Sequence, residues 1–257
     1  ARPLLQAPTP AVAGAAPAFD VVSIKRNPEP GNNYPLSPPV GGRLALRKQT
    51  VRGLISSSYG IQDYLIIGGP RWLRTDGFDV DAVSERTPPP PPPQMLLMIR
   101  TLLADRFRLV MHNERREFPI YKLVMARADN RLGPRIHPAD CVPRPQGGGP
   151  QPDDRQFFCG TNVGVGTMLV RGGTMTLLAQ QLGRYAGLGR PVVDATNLMG
   201  QFEWELKWTP DSADGNVAVD AVSIFTALQE QLGVKLEPSR GPVDVLVIDS
   251  VAPPSEN

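Results

Sequence analysis

Residues 41–60 read GGRLALRKQTVRGLISSSYG, and residues 165–187 read VGTMLVRGGTMTLLAQQLGRYAG. Each stretch is an apolar strand-like run, then an arginine, then a threonine, then a helix-like run closing on tyrosine and glycine. Arg47 falls on Arg171, Thr50 on Thr174 and Leu54 on Leu178, each pair 124 residues apart. Phe78 in GFDVDAV falls on Phe202 in QFEWELKW at the same separation. Both of those segments alternate as half-buried strands do. A second helix follows in each half, QMLLMIRTLLADRF and VSIFTALQEQLG, with apolar residues at three- and four-residue spacings. Each helix exits into a short strand, RLVM or VKLE, and each half ends on an apolar strand, IYKLVMA or VDVLVIDS.

The repeat unit is therefore strand, helix, strand, helix, strand, strand, over 42–127 and 166–252. Its period exceeds that of solenoid repeats, so a duplicated small domain is expected rather than an array. The expected fold class is α+β. Two tandem duplicated modules each place two helices on one face of a small mixed sheet. Thr50 and Thr174 stand where a hydroxyl can accept from an orphan N–H, and YG and YAG put glycine at the helix ends. The expected organisation is a disordered Ala/Pro lead over 1–18, a first module over 19–127, a Pro/Gly-rich linker over 128–165, a second module over 166–252 and a tail over 253–257.

Composition narrows the function. Of the 257 residues 41% are apolar, enough for a core, and the formal charge is +2. That charge is too small and too scattered for a nucleic-acid surface. Arg43, Arg47, Lys48 and Arg52 come nearest to a basic cluster and read as a solvated face. No run approaches the ~20 apolar residues of a membrane helix, so no transmembrane segment is expected. The 29 prolines concentrate in the first 40 positions, at Pro88–Pro93, and between Pro134 and Pro152. The opening ARPLLQAPTPAVAGAAPA reads as the lead of an exported protein after a removed signal peptide. Cys141 and Cys159 bracket a Pro/Gly/Gln-rich loop, which a disulfide would close in an oxidising compartment. A metal site would need His137 beside them. The paired ligand spacings of zinc sites are not repeated there, so the disulfide is favoured and no metal is expected. Secreted or periplasmic localisation follows.

The chain resembles a secreted family of uncharacterised function abundant in soil acidobacteria. The residues that carry this are FDVVSIKRN at 19–27, LISSSYGIQDYLIIGGPRWLRTDGFDVDA at 54–82, LLADRFRLVMHNERREFPIYKLV at 102–124 and VVDATNLMGQFEWELKW at 192–208. Each half also resembles the short βαβ domains at the N-terminus of secretins and TonB-dependent receptors. The resemblance implies export. Relatives attached to membrane metallopeptidases of the beta-lactam-sensor type hint at sensing or binding. It implies no catalytic residues.

The residues offer little conventional chemistry. There is no G-x-S-x-G, S-x-x-K, H-E-x-x-H, Walker loop or G-x-G-x-x-G ahead of a helix, and no cofactor is expected. The serines at 56–58 read as small residues allowing close packing. GGGP at 147–150 reads as a flexible loop. DSADGN at 211–216 lacks calcium-loop spacing and reads as a turn. His112 and Glu114 are two apart on a strand and share a face, the minimum for general-base work, though such a face is also an ordinary solvated one. Asp105-Arg106 reads as a helix end anchoring the following strand. YGIQDYLIIGGPRWL groups Tyr59, Tyr64 and Trp72 around a forced Gly-Gly-Pro turn, with no aromatics at the matching place in the second half. Those three residues either fill the space between modules or form a recognition surface.

The leading expectation is an exported binding or interaction protein of the bacterial envelope, with Tyr59, Tyr64 and Trp72 as contacts and an envelope protein, peptide or glycan as partner. The first alternative is a secreted hydrolase using His112, Glu114 and Asp105, with Ser57 as a remote nucleophile. The second is a structural envelope protein that self-associates through sheet edges.

Overall fold

The protein is described from a computed structural model covering residues 16–31, 42–142, 157–210 and 222–254. Most of the Ala/Pro lead, the GGGP run and the DSADGN segment lie outside the described residues. Along the chain the elements are β1 (Val21–Pro30), β2 (Arg43–Gln49), α1 (Val51–Tyr59), β3 (Ile66–Ile67), α2 (Trp72–Thr75), β4 (Asp76–Val83), α3 (Pro92–Phe107) and β5 (Val110–Met125). They continue as β6 (Ile136–Pro138), β7 (Cys141–Val142), β8 (Phe157–Phe158), β9 (Gly160–Gly164), β10 (Thr167–Gly173) and α4 (Met175–Tyr185). The last are β11 (Val192–Asp194), β12 (Phe202–Lys207), α5 (Ile224–Ala227) and β13 (Val234–Ser250). The protein is thus mixed α+β, with several sheets and few helices.

The chain forms two compact units. Unit 1 comprises 1–114 together with 245–257, and unit 2 comprises 115–244. In unit 1 an antiparallel sheet runs in the order β1-β4-β2. Alternation sends Ile24, Leu44, Leu46, Phe78, Val80 and Ala82 to one side. Helix α1 buries Val51, Leu54, Ile55 and Ser58, a single stripe at helical spacing, and α3 adds Met95, Met98, Ile99, Leu102 and Leu103 to the same core. Each large apolar side chain so buried contributes about 1.5–3 kcal/mol. Thr50 Oγ1 accepts from the Gly53 N–H at 2.9 Å, the expected cap on α1. Leu246 and Val247 of β13 pair in parallel with Ile66 and Ile67 of β3.

In unit 2 the antiparallel sheet order is β6-β12-β10-β9. Met168, Val170, Phe202, Trp204 and Leu206 face a core completed by Leu178, Ala179 and Leu182 of α4. Thr174 Oγ1 accepts from the Leu177 N–H at 3.1 Å. Helix α5 is a single turn capped by Ser223 and continues as a π-helical turn over Leu228–Leu232. Val192–Asp194 of β11 pair in parallel with Tyr121–Leu123 of β5. The Cys141–Cys159 disulfide is formed, with Cα atoms 5.1 Å apart, and it lies against Gly172.

Local features of the units correspond at the spacing of the sequence repeat. The Ser84 N–H donates to the Gly42 carbonyl at 2.9 Å, and the Trp208 N–H to the Gly166 carbonyl at 2.9 Å. Val80 lies opposite Ile24 and Leu46, and Trp204 lies opposite Ile136 and Val170. Both sheets carry a bulge at the same place, between Leu46 and Gln49 and between Arg171 and Gly173. Inside the bulges Lys48 has φ +55° and Gly172 has φ +80°.

Several expectations need correcting. The chain does not build one mixed sheet per module: the sheets β1-β4-β2 and β6-β12-β10-β9 are antiparallel throughout, and parallel pairing among the described residues joins β3 with β13, β11 with β5 and β7 with β8. RLVM and IYKLVMA are parts of one 16-residue strand, as VKLE and VDVLVIDS are of a 17-residue strand. Pro119, Pro238 and Gly241-Pro242 suggest turns in sequence, yet a proline φ near −65° also suits an extended chain. The units divide inside these two strands, at 114/115 and 244/245, whereas the sequence reading divides the chain at the 128–165 linker. Burial is the physical reason: Leu246 and Ile248 join the core of unit 1, and Leu123 joins that of unit 2. Arg52 is not on a solvated face. Its side chain is 2% exposed and donates to the Asp63 carboxylate and to the carbonyls of Asp63 and Ile66. Arg106 donates to the Val22 carbonyl of β1 at 3.2 Å, tying the helix end to that strand.

Candidate functional site

Helix α1 ends at Tyr59 because Gly60 takes the left-handed conformation, φ +66°, that lets the chain turn away. Arg100 of α3 donates twice to the Ser58 carbonyl, at 2.9 and 2.7 Å, and its guanidinium sits 4.4 Å over the Tyr59 ring. One face of the ring is thereby fixed and covered. Tyr59 also borders an open pocket of about 330 Å3 with Leu109, Met111, His112 and Asn113 of the β5 approach and Leu246 of β13. The lining is mixed, with Leu109, Met111 and Leu246 supplying apolar surface and Tyr59, His112 and Asn113 supplying polar groups. Its volume is at the lower end of the range of about 300–1,000 Å3 for small-ligand sites.

The imidazole is oriented. His112 Nδ1 lies 2.8 Å from Asp249 Oδ1 and 3.0 Å from Oδ2, and Nε2 lies 3.8 Å from Glu114 Oε2. The hydrogen bond to Asp249 raises the imidazole pKa above its ordinary value, with the charges of Asp249 and Glu114 acting in the same sense. When protonated, His112 is an imidazolium between two carboxylates. When neutral, it is a base held by a carboxylate in the base-and-orienter arrangement of nucleophilic enzymes. Among the described residues no serine, threonine or cysteine lines the pocket.

The structure therefore unites Tyr59, a proposed contact, with His112 and Glu114, the proposed acid–base pair. Asp105 is exposed on α3, Ser57 is half-buried in α1, and neither lines the pocket. Tyr64 is half-buried in a single 3-10 turn, and burial pushes its phenol up to about 12, so it stays neutral. Trp72 is half-buried with its ring edge-on to Phe78 at a centroid distance of 6.2 Å, part of the packing around the unit 1 core. Asp249 was missed in sequence. It is 137 residues from His112, and only the pairing of distant strands brings the two together. Among the described residues no group of three or more His, Cys, Asp or Glu side chains is arranged to hold a metal, and no helix is long and apolar enough to cross a membrane.

Fold and pocket define an α+β protein with a small open pocket beside an oriented histidine. The chain belongs to the family described as Protein of unknown function (DUF3738), which it matches over residues 52–251. No curated protein and no solved structure matches it.

Proposed function

We propose that the protein is a binding protein of the bacterial envelope and that the pocket between Tyr59 and His112 takes an apolar side chain of a peptide. One observation carries this: residues from a helix end and from a distant strand converge on one open pocket where apolar side chains adjoin an oriented histidine. Leu109, Met111 and Leu246 beside the polar groups of His112 and Asn113 suit a peptide, which brings an apolar side chain and backbone hydrogen-bonding groups together. Burying one leucine or aromatic side chain contributes about 2 kcal/mol. The expected affinity from this pocket alone is therefore weak, and specificity comes from His112 and Asn113.

The test is NMR titration of the full disulfide-intact chain with short peptides carrying Leu or Phe. Saturable shifts at Leu109, Met111 and Leu246 that vanish in Tyr59→Ala support the reading. Shifts absent there, or unchanged in Tyr59→Ala, overturn it. The oriented His112–Asp249 pair favours a second reading, a secreted hydrolase. Turnover of a peptide or glycan that is lost in a folded His112→Ala variant would put that reading first.

Export is part of the proposal, supported by the Cys141–Cys159 disulfide, which needs an oxidising compartment to persist. So is a duplicated architecture of two modules that exchange their last strands. Its support is the matched caps, bulges and backbone hydrogen bonds 124 residues apart, together with the crossed pairing of β13 with β3 and of β5 with β11. Amide exchange tests it. Destabilising unit 1 should release the amides of 245–250 while 115–125 stay protected, and 245–250 following unit 2 instead would refute the exchange.

A further inference from the structure

The solvent side of the unit 2 sheet carries a row of three chargeable residues. His137 of β6, Glu203 of β12 and Arg171 of β10 are direct cross-strand neighbours. Strands lie about 4.8 Å apart, so the Glu203 carboxylate stands between an imidazole and a guanidinium. In the next row Glu205 is held by Arg135 at 2.9 Å and by Lys207, and Leu169 lies opposite it, 39% exposed. His137, Arg171, Glu203, Arg135, Glu205 and Leu169 line a concavity of about 460 Å3.

The matching face of unit 1 shows what an ordinary solvated row looks like. There Asp79 accepts from the Asn27 side chain at 3.1 Å and from the Lys48 N–H at 2.9 Å, and Asp81 accepts from Arg47 at 3.0 Å. Every carboxylate is answered from within. In unit 2, among the described residues, nothing hydrogen-bonds or ion-pairs with the side chain of Glu203 or of His137. The Arg171 guanidinium lies 4.5 Å over the Phe157 ring and makes no ion pair with Glu203. The counterpart of Lys48 is Gly172, where a Cβ would stand 2.7 Å from Cys141 Sγ and 2.9 Å from Cys159 Sγ. The disulfide therefore occupies the space where the unit 1 bulge places a lysine side chain.

We infer that this row binds a free α-amino acid. Its ammonium meets the Glu203 carboxylate, its carboxylate meets Arg171, and its side chain lies over Leu169. The pairing discriminates between ligand classes. A neutral sugar answers neither charge, an amine leaves Arg171 unanswered, and a simple carboxylate leaves Glu203 unanswered. An α-amino acid carries both charges on one carbon and so answers two neighbouring groups of opposite charge at once.

The experiment is NMR titration and calorimetry of the full disulfide-intact chain with L-leucine and L-alanine. Saturable shifts are expected at His137 and along β10 and β12. Glu203→Gln and Arg171→Gln should each weaken binding by at least about tenfold, the scale of one charge-assisted hydrogen bond. N-acetyl-leucine and leucine methyl ester, each lacking one charge, should be weakened alike, and Asp79→Asn in unit 1 should change nothing. Neither side chain makes an internal hydrogen bond among the described residues, so both variants should keep the wild-type circular dichroism. Absence of a saturable shift up to about 10 mM, well below any useful affinity, overturns the inference. So does binding that survives both substitutions.

Discussion

Arg52 places a positive charge inside an apolar core, and its two ends can be cut separately. The guanidinium donates to the Asp63 carboxylate and to two backbone carbonyls, those of Asp63 at 2.7 Å and of Ile66. Burial lowers its pKa below the ordinary arginine value, with Asp63 opposing that shift. Arg52→Met removes the charge and keeps an apolar stem, leaving two carbonyls without a donor, at a cost of about 1–2 kcal/mol. Asp63→Ala leaves the buried guanidinium without its counter-ion. Breaking a buried pair in this way costs ~3–5 kcal/mol. Asp63 is 42% exposed and water can partly replace it, so the lower end, about 3 kcal/mol, applies. Removing the acid should therefore cost more than removing the base, and the double variant should resemble Arg52→Met alone. Urea unfolding of the disulfide-intact protein, with hydrogen exchange read at the α1 amides, measures both. An Asp63→Ala variant of wild-type stability, or one more stable than Arg52→Met, would refute this account of the core.

Other expectations follow from contacts already given. Thr50→Ala and Thr174→Ala should each cost about 1 kcal/mol, because both hydroxyls cap a helix N–H in the same way, and denaturation midpoints check it. His112 has a raised pKa in the folded chain, so its contribution to unit 1 is complete below its ordinary value of 6.5 and is lost as pH rises through the raised one. Asp249→Asn should weaken that pH dependence, leaving the part that Glu114 supplies, and move the His112 proton-NMR titration toward the ordinary value. Replacing Cys141 and Cys159 by serine should destabilise unit 2 by about 3 kcal/mol, since the bridge closes a loop of similar length to those behind that figure. Tryptophan fluorescence reads this, because Trp204 and Trp208 both lie in the unit 2 core.

What the sequence made legible was local. Thr50 and Thr174 announced helix starts, and glycine after tyrosine announced helix ends. The alternation in GFDVDAV and FEWELK announced strands, and two cysteines around a proline-rich loop announced a bridge. Partnership was not legible. Nothing in VDVLVIDS says that Leu246 pairs with Ile66, because an alternating strand is equally content against any apolar surface. The same holds for the site. His112 and Glu114 could be paired from their spacing alone, but Asp249 comes from the far end of the chain. Arg52 looked like a surface charge because composition cannot reveal that Asp63 and two carbonyls wait to receive it.

The division of the chain inside β5 and β13 has a mechanical meaning. Both ends of the chain belong to unit 1, and unit 2 is inserted between them. A force applied to the two ends loads the contacts that hold residues 245–250 in unit 1. Unit 2 feels no tension until those contacts give way. In a single-molecule stretching experiment unit 1 should therefore rupture before unit 2 in every trace, whichever of them is the more stable in solution.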